Sequence, residues 1–345
     1  MATLGPTMEK QEDLHNAIKA GVRWVRLPCG YRQRPHVKNA QTALDAAREV
    51  GQPVQLLLDL PSSRPRTGTM DDLNLTLGEK VLFWDPEAET HAPAKNGAHH
   101  VPLPGLHDLK GKLALSHRIL FCDGRLTFVI DELQNGFVKA HLTEGATTLK
   151  ASNALFLPDS WTGFTAITPP DHALLKEFKT ANIIPDWVAL SLIASPEDVV
   201  HGRTDVQKIL GDKVRIMAKF ETIAAVECIE AIIAVSDGVM VARGDLGQAV
   251  GYARLPGVQE QIVAAARRAG KPVVVATQIL ESFAATGLPQ RAELSDLSLI
   301  ARQRADAIML GKETVFSPRP LDCIRLASEV LAHETRRFEQ QQYGA

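Results

Sequence analysis

The chain has 345 residues, of which 45% are hydrophobic and 23% are charged, and its formal net charge is −2. These values are ordinary for a soluble globular protein, and a near-zero charge argues against a broad nucleic-acid surface, which usually needs a basic excess. No apolar run approaches the ~20 residues that span a bilayer, and the N-terminus lacks the layout of a signal peptide. The four cysteines form no CxxC pair, so no disulfide framework or zinc site is expected. We therefore expect no membrane association and a cytoplasmic location.

Short apolar runs typical of buried strands alternate along the chain with longer amphipathic stretches typical of helices. The predicted strands are Ala2–Leu4, Arg23–Leu27, Val54–Leu60, Trp187–Ser191, Arg215–Phe220, Gly238–Ala242, Pro272–Thr277 and Ala307–Leu310. The clearest predicted helices are Met8–Ala20, Lys38–Val50, Pro196–Leu210, Pro256–Ala269, Arg291–Arg304 and Pro318–Glu339. Gly21, Gly51 and Gly270 each stand between a helix and a strand, where glycine commonly ends a helix.

Eight strands and eight helices in alternation predict an α/β fold with a parallel sheet. Eight such units are typical of a closed (β/α)₈ TIM barrel. An open doubly wound sheet is the alternative that the same alternation permits.

The alternation stops after the third strand. From about Thr69 to Ser152 apolar and polar residues alternate at the period of a strand, as in Lys80–Trp84 and Leu126–Ile130. This segment is therefore predicted to be a small all-β lid domain, residues 69–152, inserted into a barrel formed by residues 1–68 and 153–345.

Chemistry in such a barrel is carried at the C-terminal ends of the strands. Several strands end there in charged, polar or glycine residues, namely Arg26, Asp59, Lys219, Glu221, Arg243, Gly244, Asp245 and Thr277. Any one of them alone is more simply explained as a surface ion pair. Together they indicate a site, because buried strands otherwise supply few charges.

These residue types suit a small substrate that carries both a carboxylate and a phosphate. The carboxylates of Glu221 and Asp245 are oxygen ligands that could hold Mg²⁺. Lys219 and Arg26 would bring the positive charge that phosphoryl transfer requires. The segment Gly244–Gly247 follows a strand and could open a helix whose free amides bind an anion. Thr277 could relay a proton.

Several segments, in the same order along the chain, resemble the pyruvate kinase family. Val241–Gly247 (VARGDLG) is similar to the signature around its metal-binding aspartate, and Met217–Glu221 (MAKFE) to the segment with its catalytic lysine and metal-binding glutamate. Pro272–Gln278 is similar to the strand that ends in its active-site threonine. Further similar segments are Thr3–Pro6, Val25–Leu27, Leu57–Leu60, Arg66–Gly68, Arg291–Asp296 and Ile308–Thr314.

The resemblance implies transfer of the phosphoryl group of phosphoenolpyruvate to ADP, giving pyruvate and ATP. Lys219 and Arg26 would contact the moving group, and Glu221 and Asp245 would bind Mg²⁺ or Mn²⁺. The amides of Gly244 and Asp245 would hold the substrate carboxylate. Thr277 would lie where the enolate is protonated, and Arg66 near the nucleotide phosphates. The inserted segment lies where that family has its mobile lid.

The chain departs from the family at its second and third strands. Pro28 and Gly30 replace an Asn and a Ser that help to bind K⁺, and Leu60 replaces a Thr. Arg64 stands where K⁺-dependent members have an acid and K⁺-independent members a lysine. The resemblance therefore implies a K⁺-independent site with Arg64 supplying the missing charge, although Arg64 could equally be a solvated loop residue. Tyr31 replaces a histidine on the nucleotide side.

Two other functions remain open from the sequence. The altered segment Pro28–Arg32 would suit a degenerate homologue that binds a ligand or partner without turnover. A metal-dependent lyase or aldolase acting on an oxo-acid enolate would need the metal and carboxylate cradle but no nucleotide. The sequence also stops where the family's C-terminal domain would begin, so we expect that domain to be absent and a homo-oligomer to be one way to cover the exposed barrel flank.

Overall fold

The structure, a computed structural model, describes residues 1–88, 97–109, 111–122, 124–134, 136–145, 147–159 and 167–343. The strands found there are β1 Ala2–Thr3, β2 Trp24–Pro28, β3 Gln55–Leu60, β4 Leu73–Asn74, β5 Lys80–Trp84, β6 His99–Pro102, β7 Arg118–Phe121, β8 Leu126–Gln134, β9 Phe137–Glu144, β10 Thr148–Leu149, β11 Trp187–Leu190, β12 Arg215–Phe220, β13 Gly238–Ala242, β14 Val273–Ala276 and β15 Ala307–Met309. The helices are α1 Gln11–Lys19, α2 His36–Val50, α3 Pro169–Thr180, α4 Pro196–Leu210, α5 Ile223–Glu227, α6 Ile229–Val235, α7 Arg243–Val250, α8 Leu255–Arg268, α9 Glu281–Thr286, α10 Arg291–Gln303, α11 Lys312–Val315 and α12 Pro320–Tyr343.

Eight parallel strands form the barrel in the order β1-β2-β3-β11-β12-β13-β14-β15. The first and last strands meet through a parallel bridge between Ala2 and Leu310, and the amide of Thr3 donates to the carbonyl of Leu310 at 3.1 Å. This closure confirms the predicted barrel and excludes the open doubly wound sheet.

Apolar side chains fill the interior of the barrel, as in other barrels of this kind. Trp187 stacks on Trp24 with ring centroids 5.1 Å apart, and buried methionines of β12 and β13, Met217 and Met240, belong to the same cluster. A larger apolar layer lies between the strands and the surrounding helices. The two layers fix the strands and therefore the side chains at the strand ends.

Local sequence signals start and end the helices. Thr168 and Ser195 cap α3 and α4 by accepting from the amides of Asp171 and Asp198, and each cap is followed by proline. Gly51 and Gly270 end helices with φ of 71° and 65°, a conformation that glycine adopts without steric cost.

The prediction of eight helices is wrong, since the described residues contain twelve α-helices. Each of the last four barrel strands is followed by two helices, and at least one of each pair has eight residues or fewer. These short helices form part of the chain at the mouth of the barrel, where the strands end. None of the helices in the described residues has the length and apolar character needed to cross a membrane.

The strands between residues 73 and 149 form two separate sheets. One has five strands in the order β6-β5-β9-β8-β7, and the other pairs β4 with β10. Phe83, Phe121 and Phe128 belong to a separate apolar core in this part of the chain, with ring centroids 5.5–6.2 Å apart. We call this part the lid. Its exact boundaries at residues 69 and 152 stay a prediction.

Candidate active site

Lys219 lies at the centre of a buried ion-pair network at the C-terminal mouth of the barrel. Its Nζ lies 3.0 Å from Oδ1 of Asp59 and 3.0 Å from Oε1 of Glu221, and it donates to Oγ of Ser191 at 2.8 Å. The ends of three adjacent strands, β3, β11 and β12, supply these residues. The network therefore depends on the order of the strands in the sheet.

Burial and the neighbouring charges shift the pKa values of Lys219 and Asp59 in opposite directions. Burial lowers the pKa of Lys219, but the carboxylates of Asp59 and Glu221 outweigh it, so the pKa lies above its usual value. Burial raises the pKa of Asp59, yet Lys219 and Arg26 bring it below its usual value. Both groups are therefore charged near neutral pH.

Arg26 extends this network on its other side. Its Nε donates to Oδ2 of Asp59 at 2.6 Å, and its Nη1 donates to Oγ1 of Thr3 at 3.3 Å. Asp59 thus bridges two cations, one on each carboxylate oxygen. Its position between Arg26 and Lys219 holds both basic side chains at the mouth of the barrel.

Glu221 has an environment that favours a nearby cation. Its Oε2 accepts from the amide of Leu192 at 2.6 Å. Burial raises its pKa, and the negative charge of Asp245 raises it further, against the lowering effect of Lys219. Glu221 and Asp245 are therefore close enough to repel, and a positive ion between them would relieve that repulsion.

Arg64 forms a two-pronged ion pair with Asp245. Its Nη1 lies 3.2 Å from Oδ1 and its Nη2 lies 2.9 Å from Oδ2. The guanidinium also lies 5.5 Å from the centroid of the Phe156 ring. Arg64 is therefore a largely buried partner of Asp245 rather than a solvated loop residue.

Thr277 has an unusual backbone conformation next to Gly244. Thr277 has φ of 71° and the following Gln278 has φ of 52°, a region that residues other than glycine occupy at a cost. The amide of Gly244 donates to Oγ1 of Thr277 at 2.9 Å. The conformation directs the hydroxyl of Thr277 to the start of α7.

Two largely buried side chains hold the loop that follows β14. Arg243 donates to the carbonyls of Thr277 and Gln278 at 2.7 and 2.9 Å, and it pairs with Asp296 at 2.7 Å. Glu313 accepts from the next two amides of the loop, those at positions 279 and 280, both at 3.0 Å. These contacts maintain the left-handed backbone that positions the Thr277 hydroxyl.

These side chains line three spaces at the mouth of the barrel that share some of their lining residues. The charged cavity, about 220 Å³, is lined by Arg26, Pro28, Gly30, Tyr31, Asp59, Pro61, Arg64, Arg66, Ser191, Lys219, Glu221 and Asp245. The threonine cavity, about 190 Å³, contains Gly244 and Thr277 and shares Arg26, Pro28 and Tyr31 with the charged cavity. The lid cleft, about 570 Å³, lies between barrel and lid, and its basic residues are Arg64, Arg66, Arg125 and Lys312.

The structure brings most of the predicted site residues into the charged cavity and places the others beside it. Arg26, Arg64, Arg66, Lys219, Glu221 and Asp245 line the charged cavity, whereas Gly244 and Thr277 line the threonine cavity. Arg66 donates to the carbonyl of Ser152 at 2.9 Å, and burial and the charge of Arg64 lower its pKa. The catalytic and binding roles of all these predicted site residues stay predictions.

Two residues that take part in the site, Ser191 and Glu313, were not among the strand-end residues named from the sequence. Ser191 accepts from Lys219, and its signal was its position at the end of a predicted strand. Glu313 lies after the last strand, and its contacts with backbone amides of a different loop leave no pattern in the sequence.

The donor set fits a hard divalent cation. Among the described residues there is no group of three or more His, Cys, Asp or Glu side chains that could hold a metal. Glu221 and Asp245 both line the charged cavity, and Mg²⁺ is usually bound by one or two carboxylates with substrate and water oxygens completing the shell. These two residues could therefore hold Mg²⁺ or Mn²⁺, and this role stays a prediction.

The chain is similar to one protein family and to several named proteins. The family model described as "Pyruvate kinase, barrel domain" matches residues 1–324. A protein named "Pyruvate kinase" from Methylorubrum extorquens is 33% identical over 338 residues, which are 96% of this chain and 68% of that protein. Another of that name, from Thermotoga maritima, is 29% identical over 340 residues, 98% of this chain and 71% of that protein.

Proposed function

Because this chain belongs to the pyruvate kinase family, we propose that it transfers the phosphoryl group of phosphoenolpyruvate to ADP, giving pyruvate and ATP, and that it needs Mg²⁺ or Mn²⁺ but not K⁺. That it is a pyruvate kinase-like enzyme follows from the family. The observation that carries the finer proposal is the position of Lys219, buried between Asp59 and Glu221 and facing the same cavity as Asp245.

Lys219 and Arg26 act on the phosphoryl group. Both side chains are held at the mouth of the barrel by Asp59, so their charges are in place before the substrate arrives. Preorganised positive charge stabilises the oxygens on which negative charge accumulates during phosphoryl transfer. A divalent ion on Glu221 and Asp245 would neutralise further negative charge on the substrate.

The substrate carboxylate is bound at the start of α7. The amides of Gly244 and Asp245 lie in the first turn of that helix, where free N–H groups attract anions. In the structure the Gly244 amide donates to the Thr277 hydroxyl, so the bound carboxylate would take this amide and leave the hydroxyl free.

Thr277 positions the proton that the enolate receives. Loss of the phosphoryl group leaves an enolate of pyruvate, and its methylene carbon must gain a proton to give the ketone. The Thr277 hydroxyl borders the same space as Gly244 and Arg26. It is therefore placed to orient a water or to pass a proton to that carbon.

The nucleotide phosphates bind in the lid cleft. Arg64, Arg66, Arg125 and Lys312 line this cleft from both sides, so an anion there would draw the lid and the barrel together. Closure of the lid over the cleft would exclude water from the transfer.

The residues at the positions of the family's K⁺ ligands support the absence of a K⁺ requirement, because they offer few free oxygens. Pro28 and Gly30 have no side-chain oxygen. Oδ2 of Asp59 already accepts from Arg26, and its Oδ1 accepts from Lys219 and Ser191. Arg64 supplies a positive charge nearby, as K⁺ would.

The test is pyruvate formation from phosphoenolpyruvate with Mg²⁺ and ADP, in buffers with and without K⁺. We expect product without K⁺, and a loss of at least about 10²–10³-fold in Lys219→Met. Lys208→Met, which changes an exposed lysine of α4, is the matched control and should keep full activity. No product from the unmodified protein would overturn the proposal and favour a binding protein or an oxo-acid lyase.

A further inference from the structure

The carboxylate proposed to bind the divalent ion is already neutralised by an arginine. Both oxygens of Asp245 accept from Arg64, at 3.2 and 2.9 Å. Arg64 is 14% exposed and Asp245 24% exposed, so water screens the pair only partly. Two parallel contacts between a guanidinium and a carboxylate make a strong pair, and the guanidinium charge repels any cation that approaches Asp245.

The charges around the cavity show why this pair matters for ligand binding. Among the described residues that line the charged cavity there are four basic side chains and three carboxylates, which leaves one net positive charge. A divalent ion alone would raise the net charge of the cavity to three positive charges. Phosphoenolpyruvate carries about three negative charges near neutral pH, one on the carboxylate and about two on the phosphate. Ion and substrate together leave the cavity neutral, whereas either alone leaves it charged.

Arg64 is also placed to reach a second anion. It lines both the charged cavity and the lid cleft, so its guanidinium faces the space where a phosphate would bind. A guanidinium binds phosphate oxygens with the same two-pronged geometry that it uses for a carboxylate. Phosphate can therefore replace Asp245 as its partner without loss of contacts.

We propose that Arg64 exchanges partners: it pairs with Asp245 in the free protein and moves to the phosphate of the substrate when a divalent ion takes Asp245. Arg64 thereby makes the binding of the ion and the binding of the phosphorylated substrate depend on each other. This inference rests on the proposed function for the identity of the substrate. Because such coupling is reciprocal, each ligand tightens the other by the same factor.

The experiment is a Mn²⁺ titration followed by electron paramagnetic resonance, which measures free Mn²⁺ and needs no turnover. The unmodified protein and Arg64→Gln are compared alone and with phosphoenolpyruvate, without ADP. Without phosphoenolpyruvate, we expect Arg64→Gln to bind Mn²⁺ about 10-fold more tightly than the unmodified protein does. In the unmodified protein, adding phosphoenolpyruvate should increase the Mn²⁺ affinity by at least about 10-fold. In Arg64→Gln the same addition should increase it by less than about 3-fold.

Arg66→Gln is the matched control, because it removes the same charge from the same cavity, whereas Arg66 donates to the carbonyl of Ser152 rather than to Asp245. We expect its Mn²⁺ affinity without substrate to rise by less than about 3-fold and its coupling to persist. Asp245→Asn should lose most Mn²⁺ binding and so locate the ion.

Arg64→Lys separates charge from geometry and keeps the test decisive if Arg64→Gln fails to fold. Lysine retains the positive charge but has no paired donors, so we expect Mn²⁺ alone to bind about 3-fold more tightly than to the unmodified protein. Equal effects of Arg64→Gln and Arg66→Gln, or an unchanged affinity in Arg64→Lys, would overturn the exchange. Arg64-dependent Mn²⁺ binding without pyruvate formation would instead overturn the proposed function and leave the competition at Asp245 standing.

Discussion

Asp59 and Lys219 are 160 positions apart in the sequence, yet Oδ1 of one lies 3.0 Å from Nζ of the other at the mouth of the barrel. Their strands, β3 and β12, are not neighbours, because β11 lies between them. Ser191, directly after β11, accepts from Lys219 and donates to Asp59. One buried ion pair therefore links three strands.

This pair predicts a specific response to acid. The pKa of Asp59 in the folded protein lies below its usual value, so Asp59 contributes stability that is present above its unfolded pKa of about 3.9 and is lost as the pH falls through the folded pKa. In Asp59→Asn this contribution is gone, and the free energy of unfolding should fall less steeply below about pH 4. Urea unfolding at several pH values between 7 and 3 measures this.

The same variant should be less stable at pH 7, by about 3–5 kcal/mol, because Lys219 and Arg26 lose a buried partner. Asp212→Asn, which changes an exposed carboxylate, is the control and should leave stability nearly unchanged. Parallel pH profiles for the two variants would show that Asp59 has no special role in acid unfolding.

Arg243→Lys should reduce turnover without loss of the fold. Lysine keeps the charge next to Asp296 but cannot reach both carbonyls that Arg243 bonds, so the loop that carries Thr277 should relax. A displacement of about 1 Å in a catalytic group can cost 10²-fold in rate. We expect kcat to fall by about that factor while the KM for phosphoenolpyruvate changes by less than about 3-fold.

Incorporation of solvent deuterium into pyruvate provides a second measurement on Arg243→Lys, because it reports protonation at carbon rather than phosphoryl transfer. We expect the rate of deuterium incorporation to fall in parallel with kcat. Normal exchange with a reduced kcat would contradict a role of Arg243 through Thr277.

The proposed independence from K⁺ can be tested by restoring side-chain oxygens at two of the three changed positions. The unmodified protein should show the same activity in KCl and in tetramethylammonium chloride, within about 2-fold. The triple variant Pro28→Asn, Gly30→Ser, Arg64→Glu regains side-chain oxygens and loses the arginine charge, so its activity should depend on K⁺. Activation of the unmodified protein by K⁺ would contradict the substitution of its charge by Arg64.

Gly202 predicts a packing effect remote from the site. A Cβ at Gly202 of α4 would lie 2.5 Å from Cδ1 of Leu190 in β11, so Gly202→Ala should destabilise the protein by about 1–3 kcal/mol. Leu190→Ala removes the clashing atom, and the double variant should cost less than the two single changes added together. Thermal or urea unfolding measures the coupling.

Gly257→Ala is the control for this cycle, because no atom lies within 4 Å of the Cβ added to this α8 glycine apart from its chain neighbours and its own helix backbone. It should stabilise the protein by up to about 1 kcal/mol, since alanine favours helix more than glycine. Additive effects of Gly202→Ala and Leu190→Ala would show that the backbone moves to relieve the contact.

The strand ends could be predicted from the sequence because two physical rules act together. Buried parallel strands are continuous apolar runs, and their C-terminal ends share one face of a barrel. Those rules were sufficient to place Arg26, Asp59, Lys219, Glu221 and Asp245 at one mouth. The family and the barrel fold were both confirmed.

Other parts of the site depend on contacts that a linear pattern does not contain. The pairing of Arg64 with Asp245 joins residues 181 positions apart, and it depends on the path of the loop after β3. The left-handed backbone at Thr277 is not a local preference of threonine, and it is imposed by Arg243 and Glu313 from other strand ends. The short helices at the mouth were missed because their sequences are too short to show a helical period.

The way in which the barrel closes has a consequence for its assembly during synthesis. The amide of Thr3 donates both to the carbonyl of Leu310 and to the hydroxyl of Thr314, which lies 311 positions later in the chain. At about 5–20 residues per second, the ribosome needs about 15–60 s to supply these partners. The lid has its own apolar core and can fold within that interval, whereas the edge of β1 stays open to pairing with other chains. Chaperone binding to the nascent chain should therefore concentrate on the unclosed barrel strands.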